Sequence, residues 1–332
     1  MQRREFITLF GGTAATWPLA ARAQQAKMKR IAIVSPATKI GDMGVNGSPF
    51  YRVFFEELSR LGYVEGQNFV VERYSGEGRT EHYADLARDV VNTHPDLIFS
   101  QSTRLALNFK AATTTIPIVT TTADPIAGGL VSSLARPGGN ITGACGDAGI
   151  EVLGKRLALL LEATSKLSNA RYLVSQLGWE RVSGAAAREA SRRAGISLAG
   201  EPMSSFNEQE YQRAFNSMEH ERVDGILTSD EVEHVTYRRL LVELAAKTRI
   251  PTIYAYRRHV ILGGLMAYSF DAGELARGNA RQIVEILKGA NPGDMPFHQA
   301  TKFQLVINVK TAKALGLEMP SALLLRADEV IE

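Results

Sequence analysis

Two successive series of short apolar runs, each run parted from the next by a stretch of helical periodicity, constrain this chain more than any other feature. Ile31 to Val34, Asn68 to Tyr74, Leu97 to Ser100 and Ile118 to Thr120 form the first series. Ala170 to Ser175, Ile196 to Gly200, Val223 to Thr228 and Thr252 to Tyr256 form the second. Runs this short and this apolar read as strands buried on both faces, and amphipathic stretches between them read as crossover helices. The fold class is therefore α/β, with two doubly wound parallel-sheet lobes. Local signals agree. Ser48 is placed to cap a helix that has Pro49 at its first position and ends at Gly62. Further helices are expected from Glu81 to Asn92, Thr103 to Ala112 and Glu151 to Leu161. In Phe206-Asn207-Glu208-Gln209-Glu210-Tyr211, Asn207 can cap, Glu210 can reach back, and Phe206 can staple against Tyr211.

A chain of 332 residues exceeds what a single core usually holds, which favours two lobes over one large sheet. The stretch between the series is no long linker. Pro137, Gly138 and Gly139 make a turn, and Ile141 to Ala144 is expected to cross between sheets, as are Gly263 to Ser269 and Thr301 to Asn308. Three short crossings make a hinge. On this reading residues 30–143 and 268–298 form lobe 1, and residues 144–267 and 299–332 form lobe 2.

The N-terminus carries a compartment signal. Arg3 and Arg4 precede an apolar stretch from Phe6 to Ala20, and Ala21-Arg22-Ala23 supplies a small-x-small cleavage site. Residues 1–23 are expected to be a cleaved export signal. Its paired arginines resemble a twin-arginine leader. Without the leader's three arginines and one glutamate, the 38 basic and 35 acidic residues leave a net charge of +1. That balance gives no footprint for nucleic acid. Cys145 is the only cysteine, so no internal disulfide can form and none stands at the cleavage site to carry a lipid. The expected location is the periplasm, and the expected state a monomer.

In open α/β sheets, ligands bind outside the carboxyl ends of the strands. Those ends here deliver Ser35, Ser100, Thr120 to Thr122, Ser175, Thr228-Ser229-Asp230, Tyr254, Tyr256 and Ser269, with Asp124 close behind. Each one alone also suits the capping of a following helix; their recurrence in both series favours a cleft for a small polar ligand. Ser100-Gln101-Ser102-Thr103-Arg104 is the most specific segment, because a helix opening at Ser102 or Thr103 would present free N–H groups to a carboxylate. Asp230 would answer from the other lobe by pairing with an ammonium, and an Asn there should weaken binding without unfolding the protein. Catalytic patterns are scarce. The six histidines show no metal-ligand spacing and are expected at the surface or at helix ends. Gly149 to Arg156 puts Arg156 where a phosphate-binding loop needs Ser or Thr, inside a helical pattern. No dinucleotide fingerprint follows a strand, and no cofactor is expected.

Several segments carry a family resemblance: RREFITLFGGTAATWPLAARAQQ, Leu58 to Gly78, Ile116 to Gly143, Ile250 to Ser269, and Thr301 to Pro320. Through them the chain resembles, over essentially its whole length, the solute-binding proteins of ABC transporters of the tryptophan/tyrosine-binding type. The resemblance implies a class I periplasmic-binding-protein fold with a hinged cleft. It places ligand contacts on the loop after the first strand, on Ser100 to Thr103, and around Thr122 and Asp124. In the second lobe it places them near Ser175-Gln176, Ser229-Asp230 and Tyr254, with Tyr268 and Ser269 at the hinge. SQSTR, Val174 to Trp179 and CGDAGI depart from common family patterns. The expected partners are a small-molecule solute, an aromatic or branched amino acid first and a related organic acid second, and an inner-membrane ABC permease with its ATPase. A ligand-presenting receptor for a membrane sensor is the alternative. An enzyme on the same scaffold is a third, although the sequence offers no nucleophile–base pair for it.

Overall fold

Pairing between the apolar runs sorts the chain into two sheets. The computed structural model describes residues 28–126, 128–146, 150–180 and 182–332. The expected leader lies outside the described residues, as do Asp147, Ala148 and Gly149. In chain order the first strands are β1 (Lys29–Ser35), β2 (Phe69–Ser75), β3 (Leu97–Ser100), β4 (Ile118–Thr122) and β5 (Ile141–Cys145). The second series supplies β6 (Asn169–Ser175), β7 (Ser197–Met203), β8 (Gly225–Thr228), β9 (Thr252–Tyr254) and β10 (Met266–Phe270). The last three are β11 (His298–Gln299), β12 (Phe303–Asn308) and β13 (Glu329–Ile331).

The first sheet runs β11-β5-β4-β3-β1-β2 and the second β13-β12-β10-β9-β8-β6-β7. Within each series the order is the same: the second strand lies outside the first, and the third, fourth and fifth follow on the other side. All pairings are parallel except β10 with β12. Each sheet therefore has a topological switch point, between β1 and β3 in one and between β6 and β8 in the other, where a crevice opens beyond the strand ends.

The crossings differ from those expected. β5 stays in the first sheet to its end, with Thr122 opposite Cys145, and β10 stays in the second, with Phe270 opposite Phe303. Residues 144 and 145 thus sit in the first sheet and 268–270 in the second, a few residues away from the expected lobe limits. Among the described residues no strand switches sheets. The chain passes between them after Gly146, at Asp271, and between Gln299 and Phe303. These passages touch one another. A Cβ built on Gly146 would lie 2.3 Å from the Phe270 ring, so only glycine fits there. The Asp271 amide donates to the Lys302 carbonyl (2.9 Å), and the Glu274 carboxylate accepts from the amides of Thr301 (3.1 Å) and Lys302 (3.0 Å).

Each lobe buries its own core. In the first, the helix Pro49–Arg60 lays Tyr51, Phe54, Phe55 and Leu58 on the sheet, and Phe54 stacks on Phe99 with ring centroids 4.9 Å apart. The helix Ala272–Leu287 completes that core with Ala276, Ala280, Ile283 and Val284. Its Arg281 bonds Glu57 of the neighbouring helix at 2.7 Å. In the second lobe, Phe206 and Tyr211 join one cluster, as a hydrophobic staple requires, and Asn207 caps the helix Glu208–His220 by accepting from the Glu210 amide. Glu210 reaches back to the Ser204 amide (3.1 Å) rather than to the cap residue. Among the described residues no helix is long and apolar enough to cross a membrane.

Candidate functional site

The two lobes meet through segments that follow the carboxyl ends of their strands. Gly78, beyond β2, faces Thr236, beyond β8: a Cβ on Gly78 would come within 2.8 Å of the Thr236 Cγ2. Arg104, beyond β3, lays its guanidinium over the ring of Phe206, beyond β7, at 5.6 Å. Tyr51, in the helix after β1, feels the charge of Arg258, which follows β9. The strand ends of both sheets therefore converge on one inter-lobe cleft, where switch points place ligands.

On the first-lobe wall most of the expected residues are engaged by hydrogen bonds within the protein. The Ser35 hydroxyl accepts from the Thr38 amide (3.1 Å), turning the chain after β1. Gln101 Oε1 accepts from the Tyr51 hydroxyl (2.7 Å), whose titration burial pushes up out of the ordinary tyrosine range. Ser102 caps the helix Thr103–Ala112 by accepting from the Leu105 amide (3.0 Å), which leaves the Thr103 and Arg104 amides at the helix mouth for an external acceptor. The Thr103 and Thr122 hydroxyls bond each other at 2.5 Å, and Asp124 folds its loop by accepting from the Ile126 amide (2.8 Å). Ser100 is different. It is fully buried at the end of β3, and its Oγ has no hydrogen-bond partner. Such an atom is costly unless something else satisfies it.

The second-lobe wall centres on the loop after β8. Asp230 Oδ1 accepts from Arg156 Nη2 at 2.7 Å, and Arg156, only 1% exposed, also donates from Nε to the Tyr268 carbonyl (2.8 Å). The Tyr256 hydroxyl donates to the Asp230 carbonyl. Asp230 thus already has a cationic partner, supplied by the helix Ile150–Thr164. Its neighbour Glu231 accepts from the Ser175 amide (2.8 Å) and the Ser229 hydroxyl (2.7 Å). Ser229 also meets His234 Nε2 (3.0 Å), and the Tyr211 hydroxyl meets His234 Nδ1 (2.7 Å). The Ser175 hydroxyl accepts from the Gly178 amide, and Gln176 Nε2 turns along its helix to Glu180.

Two expected contact residues stand off the cleft. Tyr254 is 1% exposed, stacked on His259 with centroids 4.8 Å apart and backed by Gly264, so its ring belongs to the second-lobe core. Tyr268 stacks on Phe303 and packs against the other second-lobe cluster, and its contribution to the cleft is its carbonyl, held by Arg156. Ser269 is buried beside it on β10. Of the six histidines, His234 and His259 do lie in the last turns of short helices, Glu233–Thr236 and Arg257–Ile261, but they are fully buried. Burial, in each case the leading cause, holds their imidazoles down at about 4.

Sequence reasoning missed three residues of the site. Arg156 is charged but sits within an amphipathic helix pattern. Glu233 lies 4% exposed on the short helix Glu233–Thr236, its Oε1 without a partner. Burial first, then the Glu231 charge, push its carboxyl up to about 7, against the pull of Arg104. Arg258, beyond β9, is near enough for Tyr51 of the first lobe to feel its charge, and burial, then the nearby Arg238, lower its pKa. The only legible signal for Glu233 and Arg258 was their place just beyond β8 and β9. Among the described residues no group of three or more His, Cys, Asp or Glu side chains could hold a metal ion.

Comparison with known proteins accords with this geometry. The chain is 25% identical over 272 residues to a tyrosine-binding protein of Clostridioides difficile (strain R20291), a match covering 81% of this chain and 77% of the relative. Among solved structures it is similar to an ABC domain in complex with L-Trp from Streptococcus pneumonia, at TM-score 0.81 and 22% identity, covering 92% of this chain and 100% of that one. A conserved domain protein from Vibrio cholerae gives TM-score 0.80 at 23% identity with the same coverages. A ligand-free, open substrate-binding protein with adhesive properties from Clostridium difficile gives TM-score 0.64 at 23% identity, covering 92% of this chain and 99% of that one. These likenesses identify the fold as that of the class I periplasmic-binding proteins. Residues 50–331 match the family of ABC transporter substrate binding proteins, and the chain belongs to that family.

Proposed function

We propose that this protein is the exported solute receptor of an ABC importer, and that it captures a small carboxylate-bearing molecule, an aromatic amino acid first, between its lobes. The observation that carries this reading is the convergence of both sets of strand ends, with their hydroxyls and amides, on one cleft spanned by three short crossings. The ligand's carboxylate would sit at the mouth of the helix Thr103–Ala112, near the unpartnered Ser100 hydroxyl, where the helix dipole favours negative charge. The tyrosine-binding relative and the L-Trp complex support the aromatic choice. Lobe closure about the crossings at Gly146, Asp271 and residues 300–302 would then present the loaded form to a permease. The lobes touch here through Gly78–Thr236 and Arg104–Phe206, and the likeness to the L-Trp complex exceeds that to the open relative. Both accord with a closed arrangement.

A thermal-shift screen of amino acids, aromatic acids, sugars and nucleosides tests this. A ligand at 100 times its Kd adds about 2.7 kcal/mol of stability. L-Tyr, L-Trp or a related carboxylate should raise the melting temperature. A shift by sugars or nucleosides alone overturns the proposal.

A further inference from the structure

The loop after β8 carries three carboxylates, and two of them are occupied by the protein itself. Asp230 neutralises the buried Arg156, and Glu231 ties Ser175 to Ser229. Glu233 is the third. Its side chain is 4% exposed, and its Oε1 has no hydrogen-bond partner. Its direction follows from its helix. Residues three apart share a helix face, and Thr236, three residues on, is the residue that seats against Gly78 of the first lobe. The Thr236 hydroxyl is likewise buried without a partner. From the opposite wall, Arg104 and Tyr83 both feel the Glu233 charge. Glu233 therefore looks across the cleft with an unspent acceptor, and a buried carboxyl in that state is costly until a donor or a cation reaches it.

We propose that Glu233, rather than Asp230, recognises the positively charged group of the ligand, the ammonium of an amino acid, from the second lobe. The inference rests on the reading of the cleft as an amino-acid site. The helix mouth at Thr103 takes the carboxylate end of such a ligand, so the two ends of a zwitterion meet opposite charges.

A proton follows from this arrangement. The groups around Glu233 are Glu231 on its own loop, Tyr211 from the helix Glu208–His220, Tyr256 beyond β9, and Arg104 and Tyr83 from the first lobe. Burial and Glu231 outweigh Arg104, so the carboxyl titrates at about 7. Below that pH it is neutral, and an ammonium must expel its proton to gain a charged partner. Affinity for an amino acid should therefore rise with pH up to about 7 and level off above it, with a slope of at most about tenfold per pH unit. An amine-free acid has nothing to expel the proton.

Calorimetry of the mature chain with L-Tyr, L-Trp and their deaminated acids, at pH 6 and pH 8 in two buffers of different ionisation heat, tests the assignment. Amino-acid binding should release close to one proton at pH 6 and be about tenfold tighter at pH 8, while the deaminated acids show neither effect. Glu233→Gln should abolish the proton release and weaken amino-acid binding at pH 8 by about tenfold or more, since a hydrogen bond to a charged group is worth roughly 1.5–3 kcal/mol. Urea titration of the same variant checks that it is folded; replacing a buried carboxyl by its neutral isostere should not lower the midpoint at pH 8. Amino acids that bind wild type and Glu233→Gln equally, without proton release, would overturn the role of Glu233 and leave the amino-acid reading standing. If no amino acid binds the wild type, that reading falls and this inference with it.

Discussion

Arg156 shows how one side chain can change the meaning of another. Its guanidinium is sealed in the second lobe and held by Asp230 and the Tyr268 carbonyl. Removing one partner of such a pair strands a buried charge, which costs about 3–5 kcal/mol. Asp230→Asn should therefore lower the urea midpoint markedly, and Asp230→Asn with Arg156→Met should recover most of the loss, because an apolar group of similar length needs no counter-ion. An unchanged midpoint in Asp230→Asn would remove this role. The expectation that Asn at 230 leaves the fold intact came from reading Asp230 as an exposed cleft residue. Nothing in the string Gly149 to Arg156 reveals that its arginine points inward, since a charged residue within an amphipathic pattern reads as part of the solvated face. Glu233 was illegible for another reason: its four-residue helix is too short to show which way a side chain faces. Ser102 and Asn207 were legible because a cap acts within three residues of itself, as the Leu105 and Glu210 amides show.

Two short helices, Glu233–Thr236 and Arg257–Ile261, are locked together behind the cleft by their histidines. His259 Nε2 lies 3.3 Å from the His234 carbonyl, while His234 bridges Tyr211 and Ser229. Both imidazoles titrate at about 4, against 6.5 when free. The unfolded chain binds their protons more readily, so the stability they supply is present above pH 6.5 and lost as pH falls toward 4. Each is worth on the order of 3 kcal/mol over that window. Glu233 works the other way, gaining stability as pH falls from about 7 to 4.5. The two histidines together outweigh it. Urea midpoints should fall between pH 6.5 and 4.5, and His259→Phe should flatten that slope; a midpoint that holds or rises on acidification contradicts the locking role. The helices themselves are too short for periodicity to find. Strands just as short, β3, β8 and β9 among them, were by contrast placed within a few residues, because a buried parallel strand reads as a near-continuous apolar run.

At the scale of the molecule, the two lobes share a strand order but not a continuous chain. The first lobe's core is closed by the helix Ala272–Leu287, which packs on Pro49–Arg60 and ties Arg281 to Glu57. That helix is encoded after the whole β6–β10 series. A chain truncated after Phe270 should keep Phe54, Phe55 and Leu58 without their covering, bind a hydrophobic dye strongly and be recovered largely insoluble. A soluble truncation that binds no dye would mean that the first lobe is self-sufficient. The same discontinuity sets a timetable during synthesis. Each strand of the first sheet but the brief β11 leaves the ribosome early, yet that lobe waits for residue 287 before its apolar face is shut, while the second lobe's five parallel strands have already emerged. The nascent chain therefore carries a half-built domain through most of its translation, and whatever shields that open face in the meantime meets the first lobe rather than the second.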